Sequence, residues 1–407
     1  MKWNQLIRNR TAYQLKPRIS RKGDRMYTPK TSSHFTPYQD PVTGVVTYIL
    51  KNELAPLTQS FYFVNPSMTE DGRFLWFYCA FPPSGSAGNG RTLGLIDFET
   101  DEIVHFPETQ FTSSSPAVDP KTGDLYWCNS KGIYKHAPKK GASVVFVASN
   151  PFLKASNGRM ATHLTFSADR TELFLDGDMG DRWHMGSLRL ADGIYTEWYS
   201  RDYCMDHAQF HPTDKDLVLF AEDLWTDKIT GEHHTVRTRK SDGRYLRLWT
   251  IRRGEEPVSY PVYENHLATH EWWSRQGEKF YYCGGYKHNT GICSYNMNTG
   301  ETVMEVLSPA WHGHSCRDDS LFTLDENDEF WRGCPSRTAF YNKRTEKKIY
   351  IISDNPSLFT KEQPSDYHTD PHPQFTADDR YIAHTTTVLG AVQFALTPVD
   401  QLIRMTQ

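Results

Sequence analysis

Five histidines of this 407-residue chain recur at one place in successive repeats. They are His163 in THLTFSADRTELFL, His207 in DHAQFHPTDKDLVLF, His270 in THEWWSRQGEKFYY, His312 or His314 in WHGHSCRDDSLFTL, and His372 in PHPQFTADDRYIAH. Each stands a few residues ahead of a polar turn rich in Asp or Gly, and that turn leads into a short apolar-aromatic strand. Imidazole titrates near neutral pH, transfers protons and ligates metals. If the repeats are blades around one axis, the five side chains converge near it. Packing alone does not call for a ring of ionisable groups at a pore mouth.

The densest group is His312, His314, His368 and His372 with Asp370. In DYHTDPHP (366–373) the prolines hold an extended backbone around two histidines and two aspartates. Two or three imidazoles with a carboxylate suit a divalent transition metal such as manganese, iron, nickel or zinc. His270 begins the inner strand of its blade and has the intrinsic basicity for proton abstraction. Its neighbour Glu271 shares a site with it only if a bulge intervenes, because successive strand residues face opposite sides. Arg247, in RLW on the preceding blade, could grip a carboxylate with two parallel hydrogen bonds. The other arginines of VRTRKSDGRYLRLWTIRR (Arg237, Arg239, Arg244, Arg252 and Arg253) are placed on a hairpin and the outer surface. His163 and His207 complete the ring as substrate contacts, and Trp311 is a candidate for stacking on a sugar, whereas Trp272 is placed in the core. The pair His233-His234 is placed in a loop.

Strands must position these groups. Seven landmark turns run through the chain, in TEDGRFLWFY, DPKTGDLYWC, SADRTELFLD, HPTDKDLVLF, SRQGEKFYYC, CRDDSLFTL and TADDRYIAH. Their spacing of roughly 45 to 60 residues is that of four-stranded propeller blades. Further alternating strands joined by Asn-Thr-Gly, Ala-Asp-Gly or Glu-Thr-Asp follow most of them, as hairpins require. Aromatic residues make up 14% of the chain, which suits pleated, half-buried strands. Only about one strand (AVQFAL) follows the last landmark, and a spare one, GVVTYIL (44–50), precedes the first blade. The prediction is an all-β, seven-bladed propeller over 41–407, its ring closed by that N-terminal strand so that no sheet edge is left open.

The net charge of −4 gives no footprint for nucleic acid, and no stretch is apolar over the length of a membrane span. The start, MKWNQLIRNR, has no apolar core of a secretory signal, so a cytoplasmic location is expected. The seven cysteines, without CxxC spacing, agree with a reducing compartment, and Cys79, Cys128 and Cys283 are expected as small apolar fillers between blades. Residues 1–40 form a basic arm, with Arg8, Arg10, Lys16, Arg18, Arg21, Lys22, Arg25 and Lys30 against Asp24 and Asp40. It reads as a solvated leader, with a contact to a second subunit in a homodimer or to an acidic ligand as the alternatives.

The chain resembles the oligogalacturonate lyases, intracellular seven-bladed propellers that cleave short pectic uronides by β-elimination. The resemblance rests on YQDPVTGVVTYIL, FYFVNPSMTEDGRFLWFYCAF, the arginine of RLW, THEWW and DPHPQFTADDRYIAH, in the family's order. It implies His270 as the Brønsted base, Arg247 as the substrate arginine, and a small acidic oligosaccharide as substrate. It also implies a metal held by His312 or His314 and His372. Manganese is the family's metal, with zinc, iron, nickel and calcium as alternatives. The chain departs from the family's Gln-x-x-His-x-His cluster at two places: Asp370 replaces the first histidine and Tyr367, beside His368, stands at the glutamine. Either His368 and Asp370 replace those ligands or the metal site is weaker or differently selective. Two other readings compete with this one. One is a non-catalytic propeller binding a sugar or a protein. The other is an enzyme for a different uronic-acid glycan, whether a lyase or a hydrolase using carboxylates such as Glu271, Asp370 or Asp206.

Overall fold

The computed structural model describes residues 27–81, 89–112, 114–152, 160–179, 182–227, 230–262, 268–286, 289–327, 333–358 and 369–407. Six four-stranded antiparallel sheets and one five-stranded sheet follow one another along the chain, which makes the seven blades of a β-propeller. Each blade begins at its inner strand. In blades three to seven these are Thr165–Phe166, Met205–Phe210, Ala268–Trp273, Ala310–Ser315 and Gln374–Phe375.

Asp side chains set the landmark turns. Asp71, Asp169, Asp214, Asp318 and Asp378 each accept, through Oδ1, a hydrogen bond from the backbone N–H two residues on, at 3.0–3.2 Å. This Asx geometry is why Asp recurs there. In blade five the turn uses Gly277 at a φ of 77°, where a Cβ would stand 2.1 Å from the His211 ring. His211 Nε2 in turn bonds the Gly277 carbonyl at 2.9 Å and ties blade four to blade five.

The core lies between blades. Trp272, Tyr281, Phe322 and Leu324 form one cluster across blades five and six, joined by Phe63 from blade one, and Trp272 is buried as expected. Cys79, Cys128 and Cys283 are buried in second strands and carry no disulfide.

Closure uses more of the N-terminus than the sequence indicated. Val46–Leu50 pairs with Gln393–Pro398, and Phe35–Gln39 adds a fifth, outer strand to the same blade. The propeller therefore begins before residue 41. Residues 1–26 of the basic arm lie outside the described residues. The chain ends in a short helix, Val399–Met405, which the sequence reading did not anticipate; its Leu402 and Val399 are buried against the last two blades. His233-His234, placed in a loop, forms a two-residue strand paired with Trp225–Thr226.

Candidate active site and metal centre

Each ring histidine stands four residues ahead of its landmark turn: His163 before Ser167, His207 before His211, His270 before Ser274, His312 before Cys316 and His372 before Thr376. A local device turns them inward. The inner strands carry β-bulges between Asp206 and Gln209, between Thr269 and Trp272, and between Ala310 and Gly313. His207, His270 and His372 take left-handed backbone, with φ of 54°, 52° and 45°. Such values are uncommon outside glycine and cluster where function fixes a side chain. The bulge also breaks the alternation at His270-Glu271, so that both reach the centre.

Polar residues of the second strands hold these segments from behind. Asp325, in blade six, accepts from His312 N at 2.7 Å and from His372 N of blade seven at 3.3 Å. Its Oδ2 also meets His312 Nδ1 at 2.9 Å, which fixes that ring. Asp176, in blade three, likewise accepts from Ala208 N of blade four at 3.0 Å. Thr385, in blade seven, accepts from Ser60 N of blade one at 3.1 Å.

The rings form a continuous set. His270 and His312 have centroids 4.0 Å apart, and His312 and His372 4.3 Å. His163 and His207 are 5.9 Å apart. Tyr62, from blade one, fills the middle. It stacks on His163 at 5.3 Å, lies 5.1 Å from His372, and shares a 3.1 Å hydrogen bond between Oη and His207 Nδ1. Trp311 packs edge-on to His270 at 4.7 Å. His163 is 1% exposed and lies under the half-buried Tyr62.

Two ionic groups flank the ring. On one side, His312, Asp370 and His372 bring three ligand atoms within 4.8 Å of one another, all buried. Asp325 occupies Nδ1 of His312, and its Nε2 lies 3.9 Å from Asp370 Oδ2. Burial alone would lower the His312 pKa, but Asp325 and Asp370 outweigh it and leave it raised. The negative field that holds a proton there would equally favour a cation, and two imidazoles with a carboxylate are a fitting donor set. His314 is not part of this group, which corrects the alternative to His312. With the bulge upstream, its ring turns toward blade seven and its Nδ1 accepts from Phe375 N at 3.1 Å, while burial and Arg275 push its pKa down to about 3. His368 and Tyr367 lie outside the described residues.

On the other side, Arg247 is 4% exposed, with Nη1 2.8 Å from Asp223 Oδ1 and Nη2 3.7 Å from Glu271 Oε2. Burial opposes its charge, but Asp223, Glu271 and Asp206 outweigh that and keep the guanidinium positive. With Nη1 engaged, a two-pronged grip on a ligand carboxylate falls to Nη2 and Nε, and Nε has no hydrogen-bond partner among the described residues. Burial, then His312, His207 and Arg247, depress the pKa of His270 well below the usual histidine range. His270 is therefore in its neutral form at pH 7.

Sequence reasoning missed Tyr62, Asp325 and Asp223. Tyr62 has no repeat signal, because Asn65 occupies the equivalent position ahead of the first landmark turn. Asp325 and Asp223 lie in or just after second strands, at the ends that meet the ring.

No family model matches the chain. A curated oligogalacturonate lyase of Dickeya dadantii (strain 3937) is 25% identical over 239 residues, 53% of this chain and 55% of that protein. The match spans about half the length of this relative. A solved oligogalacturonate lyase in complex with manganese has a TM-score of 0.69 at 20% identity, covering 89% of this chain and 96% of that one. An oligogalacturonate lyase structure from Vibrio parahaemolyticus gives 0.69 at 17% identity, covering 90% and 96%. The resemblance to oligogalacturonate lyases thus holds in sequence and in fold. Among the described residues no helix is long and apolar enough to cross a membrane.

Proposed function

We propose that the protein is an enzyme that cleaves short 4-linked oligouronides of the oligogalacturonate type by β-elimination. The observation that carries this reading is a neutral, half-buried base, His270, with its ring 4.0 Å from that of a candidate metal ligand and with the buried Arg247 beside it. Elimination removes the proton at C5, next to the carboxylate, and expels the oxygen at C4. The C5–H pair of electrons becomes the C4=C5 double bond, His270 holds the proton, and the departing oxygen takes up another.

His312, Asp370 and His372 would hold a divalent cation, which when bound neutralises the substrate carboxylate and so acidifies C5–H. Asp370 as an oxygen donor beside two imidazoles favours a harder ion such as manganese. Arg247 adds fixed positive charge where negative charge develops. Tyr62 and His207, hydrogen-bonded to each other, line the space around the reacting sugar, and Trp311 backs His270. A hydrolase would need two carboxylates open to the glycosidic bond. Asp206, Asp370 and Glu271 are instead 6%, 3% and 1% exposed and lie against histidines or Arg247. Product masses from trigalacturonate decide between the two chemistries: they sum to the substrate for a lyase and exceed it by one water for a hydrolase.

Two outcomes follow from the second-strand and flanking carboxylates. Asp325→Asn should weaken metal affinity about 10- to 100-fold, as loss of a carboxylate that orients a ligating histidine does, measured by metal titration of the stripped protein. Asp223→Ala should lower KM for an anionic substrate several-fold, about 1 kcal/mol, because it removes the carboxylate that competes with the substrate for Arg247. Steady-state kinetics showing an unchanged or higher KM would count against Arg247 as a carboxylate ligand.

A further inference from the structure

A cleft of about 410 Å³ opens where the last strand of blade three, Tyr195–Arg201, meets blade four. Arg182, Arg201, Arg237, Tyr203 and Trp249 line it. The sequence placed Arg237 on the outer surface; here it is two-thirds buried and bound to a carboxylate. That carboxylate is Glu222, itself 1% exposed, which receives Arg201 Nη2 at 3.0 Å and Arg237 Nη2 at 2.6 Å. One buried carboxylate thus serves two guanidiniums, a local excess of one positive charge over Glu222, with the exposed Glu256 as a further carboxylate in the cleft's lining. At the rim, Arg182 is already balanced by Asp202 at 2.8 Å.

The excess is not dissipated in solvent. Arg201 is 8% exposed, and its Nε is buried with no hydrogen-bond partner among the described residues. Its guanidinium lies 5.0 Å from the Trp249 ring centroid, and that of Arg237 lies 4.0 Å from Tyr203. Buried charge is costly unless it is paired, and two guanidiniums that share one carboxylate beside aromatic rings are preorganised for a planar anion. The rings offer apolar faces to the body that carries such an anion.

The cleft adjoins the active centre. Glu222 precedes Asp223, the partner of Arg247, and Arg247 Nη1 approaches the Glu222 carbonyl oxygen at 3.5 Å. Glu222 pairs with Met205, two residues before His207, so the cleft opens at the same end of the propeller as the histidines. We propose that this cleft is a second carboxylate-binding site that takes a further uronate of the same chain, outward from the residue held at Arg247. The inference rests on the reading that the ligand is an acidic oligosaccharide.

Its test is titration calorimetry of digalacturonate and trigalacturonate into the full chain carrying His270→Ala, which prevents turnover, with and without Arg237→Gln. Arg201 is left in place to hold Glu222. The expected result is that Arg237→Gln raises the Kd for trigalacturonate about tenfold more than that for digalacturonate, the loss of one charge-assisted contact. Arg182→Gln, at the exposed rim, should move the same ratio in the same direction by less, and it guards against a folding defect in the first variant. Equal losses for both sugars, no loss for either, or no binding of either sugar would overturn the proposal. Failure of the lyase reading is separate: wild-type protein would form no unsaturated product, while the length discrimination by Arg237 persisted.

Discussion

His270→Ala should reduce turnover by about 10³-fold, within the 10²–10⁴ that a positioned base supplies, and should leave metal binding intact. The separation of effects follows from the geometry. His270 is not among the three residues whose ligand atoms gather within 4.8 Å, yet its ring is in contact with that of His312. His312 is held by Asp325 through its backbone N and its Nδ1, so truncation of His270 should not release that ligand. Retained turnover would remove His270 from the role of base. Lost metal would make it a ligand rather than a base.

His372→Ala should lose both metal and activity. Of the three clustered groups, His312 is locked by Asp325 and Asp370 follows the segment that His372 anchors. Removing one of the three ligands found among the described residues weakens the site, and metal retention after dialysis should fall by at least about 10-fold. Elemental analysis of the dialysed protein beside kinetics checks this. A variant that kept its metal but lost turnover would place His372 in substrate contact instead.

The propeller and most of the ring are legible in the sequence because both depend on local chemistry. Asp in an Asx turn and histidine four residues before it repeat at blade spacing, and the inner strand then brings the repeats together. What escaped depends on tertiary context. Strand alternation argued against His270 and Glu271 meeting at one centre, and no glycine in THEWW marks the bulge that overrides it. His312 and His314 have the same parity, so only the bulge between Ala310 and Gly313 decides which of them faces the centre. Arg247 reads as a clamp from its type, but its engagement by Asp223 follows only from the pairing of blade four's second and third strands. Arg237 reads as surface because the carboxylate that buries it lies fifteen residues upstream in another strand.

The most direct test of the account is ultraviolet absorbance during incubation with oligogalacturonate, once with added Mn²⁺ and once with a chelator. The account predicts a rise from the conjugated C4=C5 product that the chelator stops. Cleavage without any rise, or a rise that persists undiminished after the metal is removed, would contradict metal-assisted β-elimination.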